Sequence, residues 1–386
     1  MISWIIYMFY YFSFLEDSIS WFRLFEYITV RTLGAATFGF IIMLLIGPYL
    51  IKKLKKINFV ELDVDQRLGE NFKTSKVRTP TMGGIIIISS TVISTLLWAN
   101  PSNIFLLLTL GTFIVMGFIG FVDDYKKIKS KNGLSVRNKF LFQILWTFVF
   151  LSILWSSPET QDQVKKLMVP FNKMPILEMS FIFSFIFLIL VMVGASNAVN
   201  LTDGLDGLAI GCTNSVIGCY LLLSYIAGHY SFATYLQVPF ISGCGELTVF
   251  CGALLGSGLG FLWFNRNPAE IFMGDTGSLA LGGAIASVAI LIKQELLLIF
   301  VGGVFVIEAL SVIIQTIFFK YSRFKTGKGR RIFKCAPIHH HFEFVEKEKA
   351  IINNKDPKYI ENIIVVKFWI AGIICALIGI ATLKIR

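Results

Sequence analysis

Residues 104–122 read IFLLLTLGTFIVMGFIGFV, nineteen positions without a charged side chain, and the next five residues read DDYKK. A helix needs about 20 mostly apolar residues to cross the hydrocarbon layer of a membrane. This stretch therefore predicts a membrane-spanning helix that ends at two adjacent carboxylates.

The same pattern recurs along the whole chain. Of 386 residues, 55% are hydrophobic and 15% are charged, whereas an average soluble domain has roughly 25% charged residues. These proportions indicate one integral membrane domain over residues 1–386 rather than several soluble domains. Runs of spanning length lie near Thr32–Leu50, Met82–Trp98, Ile104–Val122, Phe140–Trp155, Leu177–Ala198, Leu208–Ala227, Leu247–Phe264, Ser278–Ile292, Leu296–Phe319 and Ile363–Leu383.

Lysine and arginine concentrate in three of the intervening loops, at Ile51–Thr79, Asp123–Lys139 and Lys320–Asn362. These loops fall on one side if the spans alternate, and the positive-inside rule makes that side cytoplasmic. We therefore predict an all-α polytopic membrane protein of about ten transmembrane helices with both termini extra-cytoplasmic. The N-terminal segment, residues 1–25, has no basic start and no small-residue cleavage site, so we expect a retained interfacial segment and not a signal peptide.

A net charge of +11 is also typical of nucleic-acid-binding proteins. Here the basic residues lie between apolar runs, where they orient helices and meet anionic lipid headgroups. No nucleic-acid-binding motif accompanies them. We therefore expect membrane lipid, and no nucleic acid, as a partner.

The polar motifs fall at the predicted cytoplasmic ends of the helices. A transporter would place its charged site near the bilayer midplane, whereas an enzyme that joins a soluble substrate to a lipid needs its site on one face. The motifs are KVRTPTMGG (76–84), VDDY (122–125), NAVNLTDGLDG (197–207), Asn265 with FMGDTGS (272–278), and PIHHHFE (337–343).

The adjacent carboxylates Asp123 and Asp124 admit two interpretations. They can end a solvated helix beside Lys126 and Lys127. Alternatively, one of them retains its proton and serves in acid–base chemistry, or the pair binds a divalent cation. Neighbouring side chains on a helix point about 100° apart, so we expect different roles for the two.

Asn200, Asp203 and Asp206 are spaced by three and would lie along one side if the sixth helix extended back through them. An N-cap and turn is the simpler interpretation, but two aspartates and an asparagine beside a membrane exceed what a cap requires.

Asp275 lies between two glycines just before an apolar run. It can cap the helix, or hold Mg²⁺ at a helix N-terminus that faces an anion.

Three of the four histidines are consecutive, at His339, His340 and His341. One metal ion cannot easily bind all three, because adjacent side chains diverge. Phosphate contact and positioning suit them better, and a solvated loop is the alternative.

Glu308 lies inside the ninth apolar run, where an ionisable group is costly. A helix break or a structural hydrogen bond is expected there, with no partner evident.

The sequence has no Walker loop, dinucleotide glycine fingerprint, nucleophile elbow or HExxH zinc motif. Catalysis must then rest on carboxylates, a hard metal ion and basic residues. That combination suits displacement at phosphorus.

Taken together, the motifs resemble those of the polyprenyl-phosphate N-acetylhexosamine-1-phosphate transferase superfamily. DDY alone is a weak signal, whereas NLTDGLDG, FMGDTGS and the triple histidine, in this order, are very specific. The HHH form is similar to the muramoyl-pentapeptide branch. With the ten-span topology, the resemblance covers nearly the whole chain.

The resemblance implies a bacterial inner-membrane enzyme with Mg²⁺ as cofactor. The implied reaction joins UDP-N-acetylmuramoyl-pentapeptide to undecaprenyl phosphate and gives lipid I and UMP, and a homodimer is expected of the family. It implies catalytic roles for Asp123, Asp124, Asp275 and His340. Asp123 is expected to be the base or the carboxylate on the lipid-phosphate side, and Asp275 the Mg²⁺ ligand. The nucleotide and phosphate site is expected to be lined by Lys76, Thr81, Lys139, Asn200, Asp203, Asp206, Asn265, Phe272 (stacked on uracil), Ser278, His339 and His341.

Two other functions are weighed against this one. The same chemistry on UDP-N-acetylglucosamine is the nearest alternative, and a donor-competition assay separates the two. A membrane transporter of an anionic substrate belongs to a different class, and its expected mark is charge near the bilayer midplane. Apart from Glu308, the predicted spans contain little such charge.

Overall fold

The computed structural model describes residues 8–11, 20–57, 79–130, 132–353 and 359–384. Almost all regular structure in these ranges is helical, apart from a short antiparallel hairpin of β1 (Lys166–Leu167) and β2 (Leu177–Glu178). A helical turn at Met8–Tyr11 and a 3-10 segment at Ser20–Glu26 come first. The helices that follow are α1 (Ile28–Lys56), α2 (Gly84–Trp98), α3 (Ile104–Ser130), α4 (Val136–Trp155), α5 (Pro158–Lys165), α6 (Phe181–Thr202), α7 (Leu208–Gly228), α8 (Tyr230–Leu236), α9 (Gly245–Asn265), α10 (Gly274–Leu291), α11 (Leu298–Val301), α12 (Gly303–Thr326), α13 (Ile338–Ile352) and α14 (Ile360–Ala381).

Among the described residues, nine helices are long and apolar enough to cross a membrane: α1, α3, α4, α6, α7, α9, α10, α12 and α14. The remaining predicted run, near Met82–Trp98, forms α2. With 15 residues, α2 is about 22 Å long, shorter than the hydrocarbon layer of about 30 Å. The prediction of an all-α, multi-pass membrane protein is confirmed, and the side on which the termini lie stays a prediction.

The ninth predicted run, Leu296–Phe319, is not one continuous helix. α11 ends at Val301 and α12 begins at Gly303, so the chain breaks at Gly302. A helix break was one of the two features expected in this run because of Glu308. The break lies before Glu308, and Glu308 itself is inside the regular helix α12.

Helices α9 and α10 form the centre of the bundle. The apolar windows of α10 and α9 are 89% and 78% buried, whereas those of α1, α4, α12 and α14 are only 22–28% buried. α10 packs along α3 and α6, and its first turns contact α2. Small residues permit this packing: a Cβ on Gly84 of α2 would lie 2.1 Å from the backbone nitrogen of Gly277 on α10. Close backbone approach of this kind stabilises helix pairs in lipid.

The polar motifs gather at one end of the bundle. α3 carries Asp123 and Asp124 towards its C-terminal end, α6 ends at Thr202, and α9 ends at Asn265. α10 begins at the same end with Gly274. That this end faces the cytoplasm stays a prediction from the charge pattern.

The predicted long loop, residues 320–362, is largely helical in its described part. α12 continues to Thr326, and α13 follows at Ile338–Ile352. The three histidines therefore lie in the first turn of α13, so the alternative of a solvated loop is wrong.

Near the N-terminus of the chain, Phe9 stacks on Trp98 with 4.4 Å between ring centroids.

Candidate active site

Asp275 lies in the first turn of α10 and is bound by side chains from three other helices. Its Oδ1 accepts a hydrogen bond from Asn200 Nδ2 on α6 at 2.9 Å. Its Oδ2 is paired with Lys139 on α4, and with Lys127 on α3 at 3.1 Å. Asn200 Nδ2 also lies 2.9 Å from Ser278 Oγ. The fold thus brings four of the predicted site residues into one cluster.

Asp124 caps the N-terminus of α10. Its Oδ1 accepts from the backbone nitrogen of Asp275 at 3.1 Å, and its Oδ2 accepts from the backbone nitrogen and Oγ1 of Thr276 at 2.9 and 2.7 Å. A carboxylate at a helix N-terminus satisfies unpaired amides and interacts favourably with the helix dipole. Asp124 therefore holds the turn that carries Asp275.

Asp123 has different contacts from its neighbour, as expected of adjacent positions on a helix. It accepts a hydrogen bond from the backbone nitrogen of Leu134. Its Oδ2 lies 2.9 Å from Lys127 Nζ and 3.7 Å from Lys139 Nζ. Both lysines also contact Asp275. Asp123 thus lies where the two ammonium groups and the Asp275 carboxyl group meet.

We call Asp123, Asp124, Asp275, Lys127 and Lys139 the carboxylate cluster. Three formal negative charges against two positive charges leave one negative charge, which favours a cation. Among the described residues, no group of three or more His, Cys, Asp or Glu side chains is arranged to hold a metal ion alone. Mg²⁺ commonly binds through one or two carboxylates together with substrate phosphates and water, so this ligand set fits it.

Two glycines let the backbones of α3 and α10 approach closely enough to form the carboxylate cluster. Gly274 has φ +73°, in the left-handed region, and a Cβ there would lie 2.6 Å from Asp124 Oδ2. On α3, a Cβ at Gly120 would lie 2.1 Å from the carbonyl oxygen of Asp275. Any larger residue at either position would therefore displace the start of α10.

The segment before α2 pairs with the segment before α10. The backbone nitrogen of Phe272 donates to Pro80 O, and that of Gly83 donates to Phe272 O, both at 2.8 Å. Thr81 is buried within this pairing, beside the carboxylate cluster, and Phe272 is partly exposed. Lys76 lies outside the described residues.

Asn200, Asp203 and Asp206 do not share one side of a helix. α6 ends at Thr202, and α7 begins only at Leu208. The sixth predicted helix, α7, therefore does not extend back through these residues, and the turn of the alternative interpretation lies there. Asn200 reaches the carboxylate cluster, whereas Asp203 follows the last residue of α6 and is partly exposed.

Asp206 and Asn265 organise the loop between α9 and α10. Asp206 Oδ2 accepts from the backbone nitrogen of Ala269 at 3.0 Å. Asn265 Oδ1 accepts from Gly207 N at 3.1 Å, and its Nδ2 donates to Ile271 O at 2.8 Å. Both side chains are buried. The structure places these two predicted binding residues in contact with backbone atoms, where they hold the loop that leads to Phe272.

Glu308 on α12 and His339 on α13 form a buried pair. His339 Nδ1 lies 3.0 Å from Glu308 Oε2, and neither side chain is exposed. The partner of Glu308 is therefore a member of the triple histidine. Burial lowers the pKa of His339, although the nearby carboxylate favours the protonated ring. His339 also abuts the loop after α6, since a Cβ at Gly204 would lie 2.3 Å from its Nε2.

The other two histidines of α13 have separate partners. His340 Nδ1 lies 2.9 Å from Glu343 Oε2, and Lys347 Nζ lies 2.6 Å from Glu343 Oε1. Burial opposes ionisation of Glu343, but His340 and Lys347 outweigh it and lower its pKa to about 2. His341 Nδ1 accepts from the backbone nitrogen of Lys334 at 3.2 Å. The three adjacent rings thus diverge, in agreement with the argument against one shared metal ion.

Lys127 is a site residue that sequence reasoning did not single out. It contacts both Asp123 and Asp275. The available signal was its position four residues after Asp123, which places both on one side of α3. Lys126 and Lys127 are both exposed, so the contacts with Asp123 and Asp275, and not burial, identify Lys127 as the site residue. In a basic loop, the lysine that enters the site cannot be distinguished by composition.

Comparison with known proteins shows the family of this chain. Residues 106–293 match the family model Glycosyl transferase family 4, a span that contains all the residues of the carboxylate cluster. A phospho-N-acetylmuramoyl-pentapeptide-transferase of Geobacter sp. (strain M21) is 47% identical over 95% of this chain and 96% of its own length. The transferase of Desulforapulum autotrophicum is 45% identical over 98% of this chain and 100% of its own length. The transferase of Pelobacter propionicus is 47% identical over 96% of this chain and 98% of its own length. The chain is therefore a multi-pass membrane transferase that belongs to the phospho-N-acetylmuramoyl-pentapeptide-transferase family.

Proposed function

We propose that the chain transfers phospho-N-acetylmuramoyl-pentapeptide from UDP-N-acetylmuramoyl-pentapeptide to undecaprenyl phosphate, with release of UMP and formation of lipid I. The names of its relatives support the reaction. The observation that carries the proposal is the carboxylate cluster at the ends of apolar helices, with Asp275 held by Asn200, Lys127 and Lys139. A soluble nucleotide and a lipid phosphate can both reach such a position.

The proposed chemistry is a direct displacement at phosphorus. An oxygen of the undecaprenyl phosphate attacks the β-phosphorus of the UDP-sugar. A new P–O bond forms, the bond from the β-phosphorus to the bridging oxygen breaks, and UMP leaves with that oxygen. Asp123 keeps the attacking phosphate deprotonated, and Lys127 and Lys139 neutralise charge that develops on phosphate oxygens. A covalent sugar-phosphate adduct trapped on Asp123 would show a two-step reaction instead.

Mg²⁺ is the proposed cofactor, with Asp275 as its protein ligand. The net negative charge of the carboxylate cluster supports this assignment. Asn200 Nδ2 donates to Asp275 Oδ1 and helps to orient that carboxylate. Bound there, Mg²⁺ would supply positive charge to stabilise the departing phosphate. The orientation of Asp275 depends on Asp124, which therefore serves the metal site through the first turn of α10.

The remaining predicted site residues are proposed to bind the nucleotide and its phosphates. Phe272 is partly exposed beside the carboxylate cluster, as a ring that stacks on uracil must be. Gly204 lies against His339, and a Cβ there would be 3.3 Å from His340 Nε2. The end of α6 thus contacts the carboxylate cluster through Asn200, and the loop that follows it contacts the histidines. The further members of the proposed site are Lys76, Thr81, Asp203, Ser278 and His341.

We place the enzyme in the inner membrane of a bacterium, with the carboxylate cluster at the cytoplasmic face. The support is the concentration of lysine and arginine in the loops at that end of the bundle. UDP-sugars are cytoplasmic substrates, which agrees with this orientation. A homodimer is the proposed assembly.

The first test is UMP release by the purified protein in detergent, with undecaprenyl phosphate, Mg²⁺ and either UDP-N-acetylmuramoyl-pentapeptide or UDP-N-acetylglucosamine. We expect release with the muramoyl donor only, and a loss of at least about 100-fold in Asp275→Asn. Asp162→Asn is the matched control, because Asp162 lies after α4 at the opposite end of the bundle and is exposed. Release with the other donor only would overturn the proposed substrate. No release with either donor, from folded protein, would favour a transporter.

A further inference from the structure

Gln143 and Asn197 form a hydrogen bond between α4 and α6. Asn197 Nδ2 donates to Gln143 Oε1 at 2.8 Å. Gln143 has no solvent exposure, although an amide is costly to bury without partners. Neither residue belongs to the carboxylate cluster or to the predicted site. The presence of two side-chain amides inside a membrane bundle therefore requires an explanation.

The two amides lie one helical turn from the side chains that bind Asp275. Gln143 follows Lys139 by four residues on α4, and Asn197 precedes Asn200 by three on α6. Residues at these spacings share a helix face and are separated by about 5 Å along the axis. The hydrogen bond between the two side-chain amides therefore connects α4 to α6 one helical turn from Lys139 and Asn200.

Lys139 and Asn200 approach Asp275 from different helices and bind different oxygens. Asn200 contacts Oδ1, and Lys139 contacts Oδ2. Each donor lies in a terminal turn, since α4 begins at Val136 and α6 ends at Thr202. Terminal turns have fewer intrahelical hydrogen bonds than helix interiors, so their lateral position depends on contacts with neighbouring helices.

We propose that Gln143 and Asn197 are positioning residues for the transfer reaction. Their hydrogen bond sets the spacing of α4 and α6, and this spacing delivers Lys139 and Asn200 to opposite oxygens of Asp275. The inference rests on the proposed function, because transfer activity is its readout. A displacement of about 1 Å at a reacting centre can lower a rate by about 100-fold, so a single remote bond is sufficient for a measurable effect.

The test is a reciprocal exchange of the two side chains. Gln143→Asn shortens the pair by one methylene group and Asn197→Gln lengthens it, whereas the double exchange preserves the combined length. We expect each single variant to lower kcat by about tenfold, with the KM of the UDP-sugar within about twofold of the original. The double exchange should recover kcat to within about threefold. A double variant as slow as the slower single variant would overturn the proposal.

Thr112→Val is the matched control for a purely structural effect. It removes the bond that Trp146 Nε1 donates to Thr112 Oγ1 at 3.1 Å, which also joins α4 to a neighbouring helix. Gln143→Met, which keeps the volume and loses the bond, is the second test variant. At equal folded protein, we expect Thr112→Val to retain kcat and Gln143→Met to lose about tenfold. Equal kcat in the two variants would overturn the positioning role. An unmodified protein that releases no UMP with any donor would overturn the proposed function, and this inference with it.

Discussion

Nδ1 of His339 lies 3.0 Å from Oε2 of Glu308, and neither side chain is exposed to solvent. The backbone nitrogen of His339 lies 3.5 Å from the same carboxylate oxygen. Glu308 thus contacts both the imidazole and the first turn of α13. An ionisable group inside an apolar helix is expected to have a specific partner, and this pair explains why Glu308 lies in α12.

Replacement of Glu308 by leucine should destabilise the protein by about 1–3 kcal/mol, because the buried Nδ1–H of His339 loses its acceptor. Glu308→Gln retains an acceptor oxygen and should destabilise less. Thermal melting in detergent should therefore rank the original protein first, Glu308→Gln second and Glu308→Leu last. A leucine variant that melts with the original protein would show that the pair contributes no stability.

Folding stability should fall in mild acid because of His339. Burial lowers the pKa of His339 in the folded chain below its ordinary value of 6.5. The unfolded chain therefore binds this proton first, so the contribution is present above about pH 6.5 and is lost as pH falls below it. His339→Asn, whose amide nitrogen can replace Nδ1, should reduce the fall in melting temperature between about pH 7 and 5.5. His229→Asn, at an exposed histidine, is the control, and an equal fall in both variants would contradict the assignment.

Asp124→Asn and Asp275→Asn should differ in their effects on stability. Asp124 accepts three hydrogen bonds at the start of α10. Loss of its charge should therefore lower the free energy of unfolding by about 1–2 kcal/mol, and should also lower activity. Asp275→Asn should abolish activity with a smaller effect on stability, because Lys127 and Lys139 keep Asp123 as a partner. Melting curves and UMP release together test this. The reverse order of melting temperatures would show that Asp124 is not the cap that holds α10.

Gly120→Ala should inactivate the enzyme although it lies outside the polar motifs. The added Cβ would lie 2.1 Å from the carbonyl oxygen of Asp275, so α3 and α10 must move apart at the carboxylate cluster. We expect a loss of about 100-fold in kcat. Gly194→Ala on α6 is the control, since nothing lies within 4 Å of a Cβ there and alanine favours the helix. Similar activity in both variants would show that the close approach is not required.

Lys127→Gln should lower kcat by about 100-fold, because the ammonium group contacts two carboxylates of the cluster. Lys126→Gln removes the adjacent, exposed lysine and should leave kcat unchanged. Both variants change the charge at the C-terminal end of α3 equally, so a general effect of charge on membrane association would appear in both. Equal activities would exclude a specific role for Lys127.

Several parts of the site were predictable because their signals are local. The motif at residues 272–278 indicated a helix N-terminus with a carboxylate at Asp275, since glycine and aspartate favour helix starts and close ligand approach. The divergence of the three histidines followed from helix geometry. The choice between a turn and a backward extension of α7 through Asp203 and Asp206 stayed open in the sequence. The structure has the turn, which is stabilised by contacts with Asn265 and with the loop that follows it.

The sequence by itself determined the all-α class and the approximate spans, because bilayer thickness sets helix length and backbone groups in lipid must be satisfied within each helix. Tertiary structure decided which helices are neighbours. Asp124 and Asp275 are 151 residues apart, and Glu308 and His339 are 31 apart. A period of 3.6 residues shows which face of a helix is polar, but it contains no information on which distant face will contact it. The partners of Asp124 and Glu308, and the contact of Lys127 with Asp275, therefore emerge only when the bundle packs.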